Sequence, residues 1–168
     1  METRYLTQVI LNGTTKIAQY GRFDGNPASA GAELARWLAE CETPRELVLS
    51  RINDCTLHPQ IALETLIDKN HIHDWEQHYP HLSHTTGMRI IELVTTRGPF
   101  ALIDRMDFVC APFCKFHYAI DFDSHSISIN NSKWIDFENW TYDLMNRIEE
   151  LIAETAWEGH ANAWVDEL

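Results

Sequence analysis

The sequence predicts an α+β domain in which an antiparallel sheet of about four strands, from two hairpins, packs against helices. Three features lead to this prediction. Two segments combine β-branched and aromatic residues with a tight turn, four segments between them have apolar residues at helical spacing, and the last segment is typical of a long amphipathic helix with an acidic face. Because 168 residues can bury a substantial core, residues 1–168 are expected to form a single globular domain.

The first hairpin is predicted from residues 5–11 (YLTQVIL) and 14–20 (TTKIAQY), which are rich in strand-forming residues. Asn12-Gly13 separates the two segments, and this pair tolerates the positive φ angles of a type I′ turn. A two-residue loop also predicts the register. The expected pairs are Leu11 with Thr14, Ile10 with Thr15, Val9 with Lys16 and Gln8 with Ile17.

Four helices are predicted after the turn at residues 24–27. The first begins near Ser29, and residues 43–46 (TPRE) start the second with a capping hydroxyl, a proline at the first helical position and a glutamate three residues after the cap. The third covers residues 59–70 and the fourth covers residues 86–96. The expected inward residues are Leu34, Trp37, Leu38 and Cys41; Val48, Ile52 and Cys55; Leu63, Leu66 and Ile67; and Ile90, Ile91, Leu93 and Val94.

The second hairpin is predicted from residues 116–122 (FHYAIDF), which alternate apolar and polar side chains, and from Ile127 and Ile129, which alternate with serines. After it, apolar residues at helical spacing predict the longest helix of the chain, from near Asp136 to about Trp157. The outer face of this helix is largely acidic.

The charge of the chain restricts its partners. The sequence has 13 basic and 25 acidic residues, for a formal net charge of −12, which repels phosphate backbones and anionic membranes. We therefore expect a basic protein surface as the partner, with no direct nucleic-acid binding and no membrane attachment. Residues 136–168 hold nine of the carboxylates and a single arginine, so most of the excess charge is C-terminal.

The sequence also predicts a cytoplasmic protein. No apolar run approaches the roughly 20 residues that span a bilayer, and the N-terminus lacks a basic region followed by an apolar one. The four cysteines, Cys41, Cys55, Cys110 and Cys114, are then expected to be reduced and to serve mainly as small buried hydrophobic residues.

The commonest catalytic motifs are missing from the sequence: it has no phosphate loop, no dinucleotide-binding glycine pattern, no His-Glu-x-x-His and no Gly-x-Ser-x-Gly. No catalytic residue and no cofactor is predicted. Two groups of metal-ligand types have an alternative structural interpretation. The first group is a histidine-rich stretch, which is either a metal site or a solvated loop. It contains His71, His73, His78, His81 and His84, with Asp74 and Glu76 beside them. The second group, which is either a zinc site or a set of buried thiols, contains Cys110, Cys114 and His117.

Asp121 and Asp123 form a third candidate group. In an uninterrupted strand they share a face with His117 and His125, and this arrangement of carboxylates and imidazoles could hold a divalent metal. The alternative is that these residues are the polar side of a half-exposed hairpin, with Asp123 favouring the turn.

The acidic face of the last helix has two interpretations as well. Such a face is ordinarily the solvated side of an amphipathic helix. Alternatively, carboxylates spread over a helix and the following tail imitate a phosphate backbone and occupy a basic groove, with tryptophans as apolar anchors. The partner-binding candidates are Glu149, Glu150, Glu154, Trp157, Glu158, Trp164, Asp166 and Glu167.

Residues 20–27 (YGRFDGNP) connect the first hairpin to the first helix. Turn chemistry accounts for Gly21 and for residues 24–27, but it does not require Tyr20, Arg22 or Phe23. These three residues and Asp24 are the candidates for a binding loop.

The same segment resembles a group of small phage and prophage proteins. In those proteins an N-terminal hairpin ends in a YGxWDGYP-like segment, matched here by residues 20–27 with Gly31 downstream, and the later aromatic hairpin (FHYAIDFD) is similar to theirs. Phe23 stands where Trp or Tyr is usual, and Asn26 replaces the usual aromatic residue. The resemblance covers about a quarter of the chain and implies no catalytic residues.

A phage setting implies a function by analogy. Small acidic phage proteins without enzyme motifs resemble inhibitors of host defence, including anti-CRISPR proteins, which often occupy the basic nucleic-acid channel of an effector nuclease. We therefore expect an inhibitor of a Cas effector or another defence nuclease, in the cytoplasm of the host bacterial cell. The main alternative is a small metal-dependent enzyme or ligand-binding module with a site near Tyr20–Pro27 and Asp121/Asp123; a structural phage component or homo-oligomer is a third.

Overall fold

The computed structural model describes residues 3–70 and 73–137 and has the predicted α+β architecture. The strands are β1 (Arg4–Leu11), β2 (Thr14–Gly21), β3 (Thr56–His58), β4 (Ala101–Ile103), β5 (Cys114–Asp121), β6 (Ser126–Ile129) and β7 (Ser132–Asp136). The helices are α1 (Ala32–Glu40), α2 (Arg45–Asn53), α3 (Gln60–Asn70), α4 (Trp75–His78) and α5 (Ile90–Arg97). Short helical turns lie at Pro27–Gly31, Pro80–Leu82, Gly87–Arg89 and Met106–Cys110.

The N-terminal hairpin is confirmed. Asn12 and Gly13 have φ angles of 55° and 67°, the left-handed pair that a two-residue hairpin loop needs to match the twist of its strands. Leu11 pairs with Thr14 across this loop, as the sequence predicts.

The register further along the hairpin differs from the prediction. A bulge lets Val9 pair with Ile17, so the predicted pairs of Val9 with Lys16 and of Gln8 with Ile17 are wrong. Val9 and Ile17 are both completely buried, and the bulge brings them together on the core face of the sheet. Lys16 becomes the extra residue, and its ammonium donates a hydrogen bond to the carbonyl of Asn53 (3.0 Å).

The main sheet has five strands in the order β2-β1-β5-β6-β7. Adjacent strands in this sheet are antiparallel except for β1 and β5, which run parallel. The second predicted hairpin, β5 and β6, is confirmed. The sheet therefore joins the two predicted hairpins through a parallel pair and extends them by one strand.

The fifth strand, β7, is the part of the sheet that the sequence analysis missed. Its sequence, SKWID, has two charged residues and a single buried one, Ile135, so its alternating pattern is too short to predict a strand. Asp136 is still in extended conformation at the end of β7, so the last helix, predicted from near this residue, can begin only after it. The remainder of that predicted helix lies outside the described residues.

The core lies between the sheet and the helices α1, α2 and α5. Most predicted inward residues of these helices join the sheet residues in one buried cluster, with Trp37 and Cys41 partly buried against it. Leu93 of α5 was also predicted to face inward, but it is half-buried and does not belong to the cluster. Its largest fully buried members include Tyr118, Ile120 and Ile127 from the sheet, Leu34 and Leu38 from α1, Ile52 from α2 and Ile91 from α5. No helix in the described ranges has the length and hydropathy needed to cross a lipid bilayer.

A second, smaller layer holds α3, α4 and the two short strands β3 and β4, which pair in parallel. Its buried residues are Leu63, Leu82 and Ile103. The sequence predicts α3 but neither of these strands, because three residues are too few to show a period of two.

Tyr5 is a buried core residue near one end of the sheet. Its ring is 4% exposed and meets the ring of Tyr118 edge-on, with centroids 5.9 Å apart. The Tyr5 hydroxyl accepts a hydrogen bond from the backbone N–H of Met88 (2.8 Å), and burial raises the pKa of Tyr5 to about 12. A Cβ atom added at Gly21 or Gly87 would overlap the Tyr5 side chain, so both positions require glycine.

We predict that Gly21→Ala lowers the free energy of unfolding by about 1–3 kcal/mol, the usual cost of overpacking a core. The loss should shrink when Tyr5 is also changed to Leu, because the ring that the new methyl group meets is then gone. Urea denaturation of the four proteins of this double-mutant cycle measures the coupling. Gly13→Ala is the control: its Cβ would meet nothing within 4 Å, so the cost that its left-handed φ of 67° imposes should be the same with Tyr or with Leu at position 5. An equal cost of Gly21→Ala in both backgrounds would contradict the prediction.

Candidate functional site

The loop at residues 20–27 lies at the end of the sheet where three strand termini meet. Tyr5 pairs with Gly21, and Arg4 pairs with Cys114. The beginning of β1, the end of β2 and the beginning of β5 are therefore neighbours, and the turn Met106–Cys110 packs against β1 and β5.

The turn residues of this loop have structural roles, as the sequence predicts. The Asn26 side chain accepts a hydrogen bond from the N–H of Ser29 (3.0 Å) and so caps the following helical turn. Gly25 donates its N–H to the carbonyl of Thr3 (3.0 Å) and accepts a bond from the Tyr118 hydroxyl (2.7 Å). Only residues 22–24 of the loop are left fully at the surface.

Tyr20 belongs to a row of rings on the surface beside the loop. It stacks on Phe108 with ring centroids 4.8 Å apart, and Phe108 meets Phe113 at 5.4 Å. Guanidinium groups cover several of these rings: Arg4 lies 5.3 Å from the centroid of Phe113, and Arg105 lies 6.0 Å from that of Phe108.

Arg22 and Phe23 form a further pair of this kind in the loop that follows Tyr20, with the guanidinium 5.3 Å from the ring centroid. We call the whole set the aromatic–arginine surface. It consists of Arg4, Tyr20, Arg22, Phe23, Arg105, Phe108 and Phe113. Phe23 is 53% exposed and Phe113 is 40% exposed, so two of its rings face solvent.

The sequence analysis identified Tyr20, Arg22 and Phe23 as candidates and missed the other four members of this surface. Arg4 belongs to another strand, and residues 105–113 lie 78 or more positions along the chain from the loop. No local pattern connects these segments, because their proximity comes from the parallel pairing of β1 with β5.

A groove of about 510 Å³ lies between α1 and α5. Four glutamates line it, together with Arg36, the half-buried Trp37 and threonines. The glutamates are Glu33, Glu40, Glu42 and Glu92. Burial raises the pKa of Glu33, Arg89 opposes this, and Glu92 adds to it by repulsion between like charges.

This groove was not predicted. Its carboxylates come from α1, from the segment between α1 and α2, and from α5, so no single stretch of sequence shows them together. The groove has a size typical of ligand pockets, and its excess of carboxylates favours a positively charged group.

Asp121 and Asp123 hold turns. Strand β5 ends at Asp121, whose carboxylate accepts hydrogen bonds from the N–H groups of Asp123 (2.9 Å) and Ser124 (3.2 Å). Asp123 accepts bonds from the N–H groups of Asn12 (2.8 Å) and Gly13 (2.7 Å). The strand is therefore interrupted, so the alternative in which it presents both carboxylates on one face is wrong, and Asp123 belongs to the turn, as the other interpretation predicts.

The two histidines of that predicted face are also separated. His117 has its Nε2 atom 2.9 Å from Oε1 of Gln8, and burial lowers the pKa of its imidazole. His125 lies in the turn, where its Nε2 atom accepts a hydrogen bond from Arg45 (2.7 Å). The Asp121/Asp123 turn and the loop at residues 20–27 lie at opposite ends of β2, which places them roughly 20 Å apart, so they do not line one pocket.

The histidine-rich stretch is dispersed in the part that the structure describes. His73 and His78 are exposed, His81 stacks on Phe100 at 4.3 Å, and His84 approaches Glu76 at 3.8 Å. Residues 71 and 72 lie outside the described ranges. Among the described residues, no group of three or more His, Cys, Asp or Glu side chains is arranged to hold a metal ion.

The cysteine candidates differ in their surroundings. Cys110 is exposed and Cys114 is half-buried, and burial raises the pKa of the Cys114 thiol to about 11. The Cys114 sulfur lies near the carbonyl of Phe116 (3.5 Å), while His117 is bonded to Gln8. This string of ligand types therefore does not come together as one site.

The eight partner-binding candidates between Glu149 and Glu167 all lie outside the described residues. Comparison of the chain with models of protein families, with curated proteins and with solved structures found no match. The resemblance to phage proteins in residues 20–31 and in the second hairpin therefore stays a prediction.

We predict that Asp123→Asn lowers the free energy of unfolding at pH 7. The difference in this free energy between the variant and the wild type should become smaller in acid. The N–H groups of Gly13 and Asn12 hold the pKa of Asp123 below its ordinary value. The stabilisation is therefore complete above the unfolded pKa of about 3.9 and disappears as the pH falls through the lower folded pKa.

The midpoints of urea unfolding at about pH 7 and about pH 3 test this prediction. Asp68→Asn, on the exposed side of α3, is the matched control. Equal midpoints for Asp123→Asn and the wild type at neutral pH would refute it.

Proposed function

We propose that this chain is an inhibitor that binds a basic surface of a bacterial nucleic-acid-targeting defence complex, in the manner of anti-CRISPR proteins. The observation that carries the proposal is the acidic groove between α1 and α5. Its four glutamates face a single arginine of the lining, and this imbalance suits the basic side chains of a protein that ordinarily holds nucleic acid.

The groove has the chemistry to receive an arginine or lysine side chain. A guanidinium group binds carboxylates through paired N–H donors, and it stacks on aromatic faces. The groove offers both partners, because the Trp37 indole lines it beside Glu33 and Glu40. A lysine ammonium would satisfy the carboxylates but would use the indole less well.

The C-terminal segment adds to this acidic character through its sequence. Residues 138–168 carry eight carboxylates and one arginine, a spacing of negative charge that could compete with a nucleic-acid backbone for a basic channel. Such an inhibitor would act in the cytoplasm of the host bacterium, where defence nucleases meet their targets.

The proposal is tested in bacteria whose CRISPR systems, each of a known type, destroy an incoming plasmid. Expression of the wild-type chain should restore transformation by the plasmid in bacteria that carry at least one of these systems. The variant with lysine at positions 149, 150, 154 and 158 should lose this protection, because charge reversal turns attraction to a basic channel into repulsion.

A second quadruple variant controls for the change in net charge. Glu46, Asp54, Glu64 and Asp68 are exposed on α2, on α3 and in the segment between these helices, and their replacement by lysine should leave protection unchanged. Circular dichroism checks that each variant folds. Identical behaviour of the two quadruple variants, or no restored transformation in any system, would count against the proposal.

The groove is tested separately with the purified chain and the complex that it inhibits. Glu40→Lys/Glu42→Lys should weaken binding by about tenfold or more, and added salt should weaken the wild-type complex, since exposed charges are screened within about 10 Å. Biolayer interferometry at two salt concentrations measures both effects. Unchanged affinity of this variant would remove the groove from the interface.

A further inference from the structure

The aromatic–arginine surface is not used by the proposed function. We propose that it binds single-stranded nucleic acid, with bases stacked on its exposed rings and phosphates held by its guanidinium groups. This inference concerns the purified chain alone and does not depend on the identity of any defence complex.

The rings provide the stacking part of this site. Phe23 and Phe113 are the two exposed aromatic residues among the four exposed large hydrophobic residues of the described chain. Both lie at the end of the sheet where β1, β2 and β5 meet. Exposed aromatic rings stack on unpaired bases of any sequence, because every base has a π face.

Phe113 is supported by the other two rings of the row, Phe108 and Tyr20. Phe108 contacts Phe113 on one side and stacks on Tyr20 on the other. Tyr20 is held by the strand β2, and Phe108 is held by the turn against β1 and β5. A base placed on Phe113 therefore meets a ring whose position is set by the sheet.

The arginines provide the phosphate-binding part. Each of the three guanidinium groups lies across a ring, on Phe113, Phe108 or Phe23. A guanidinium group that lies against a ring has its N–H donors near the ring edge, where a phosphate bound beside a stacked base would lie. Each of these pairs thus places a ring and phosphate-binding N–H donors side by side.

The net charge of the chain predicts no nucleic-acid binding, but that argument averages over the sequence. The described residues carry 12 basic and 16 acidic side chains, and charges beyond about 10 Å are screened at moderate salt. The surface itself carries Arg4, Arg22 and Arg105; Glu64 and Asp107 lie near Arg105, and Asp24 lies in the loop.

The test measures fluorescence anisotropy of a labelled 20-nucleotide oligo(U) with the purified chain at low salt. Binding by the wild type is expected, with a weaker response to a duplex, whose bases are already stacked. Phe23→Ala/Phe113→Ala should weaken binding by about tenfold or more, and Arg105→Gln should weaken it and reduce its salt dependence. Leu47→Ala/Ile61→Ala removes the other two exposed large hydrophobic residues and should leave affinity unchanged.

Three outcomes would overturn the inference. The first is no binding of the oligonucleotide, and the second is equal affinity of the two double-alanine variants. The third is that free uridine monophosphate displaces the labelled oligonucleotide as well as unlabelled oligo(U) does at the same total nucleotide concentration. This result would indicate a mononucleotide site instead. Failure to bind oligonucleotide combined with loss of transformation protection in Phe23→Ala/Phe113→Ala would assign the surface to a protein partner.

Discussion

The packing of Tyr5 against glycine is the constraint on which one end of the fold depends. Gly21 ends β2, Gly25 lies in the following loop and Gly87 precedes α5. A side chain at Gly21 or Gly25 would overlap the Tyr5 ring, and one at Gly87 would overlap the Tyr5 hydroxyl. Tyr5 therefore joins the hairpin, the loop and the approach to α5 around one side chain. Because the backbone of the loop is drawn inward at Gly21 and Gly25, the residues between them, Arg22 to Asp24, are left outside.

This packing separates structure from function within the YGRFDGNP segment. Its glycines, Asn26 and Pro27 are explained by close approach and by turn geometry, and these roles would persist in a protein with no ligand at all. Phe23 has no such explanation, since a phenyl ring that is 53% exposed contributes little to the core. An exposed ring that the fold does not need is where a search for function begins.

Local patterns predicted most of the fold. Asn12-Gly13 and the alternation in β5 each depend on neighbouring residues, and both features are present. Helix α2 also forms where its start signal predicts it, but Pro44 occupies the N-cap position and no side chain caps the helix, so the capping hydroxyl predicted at Thr43 is wrong. The bulge at Lys16, the strand β7 and the parallel pairing of β1 with β5 depend on contacts between distant segments. The candidate sites divide in the same way, since Tyr20, Arg22 and Phe23 stood out in one loop, whereas Phe113 and the glutamates of the groove are brought together only by the tertiary fold.

The parallel pair at the centre of the sheet has a consequence during synthesis. β1 leaves the ribosome about a hundred residues before β5, which at ordinary translation rates is a delay of roughly 5–20 s. Throughout this time β1 has only one of its two edges paired, because β2 can form at once but β5 does not yet exist. The nascent chain therefore carries an open strand edge next to Leu6 and Val9, with unpaired N–H and C=O groups that another chain could pair with until residue 121 emerges.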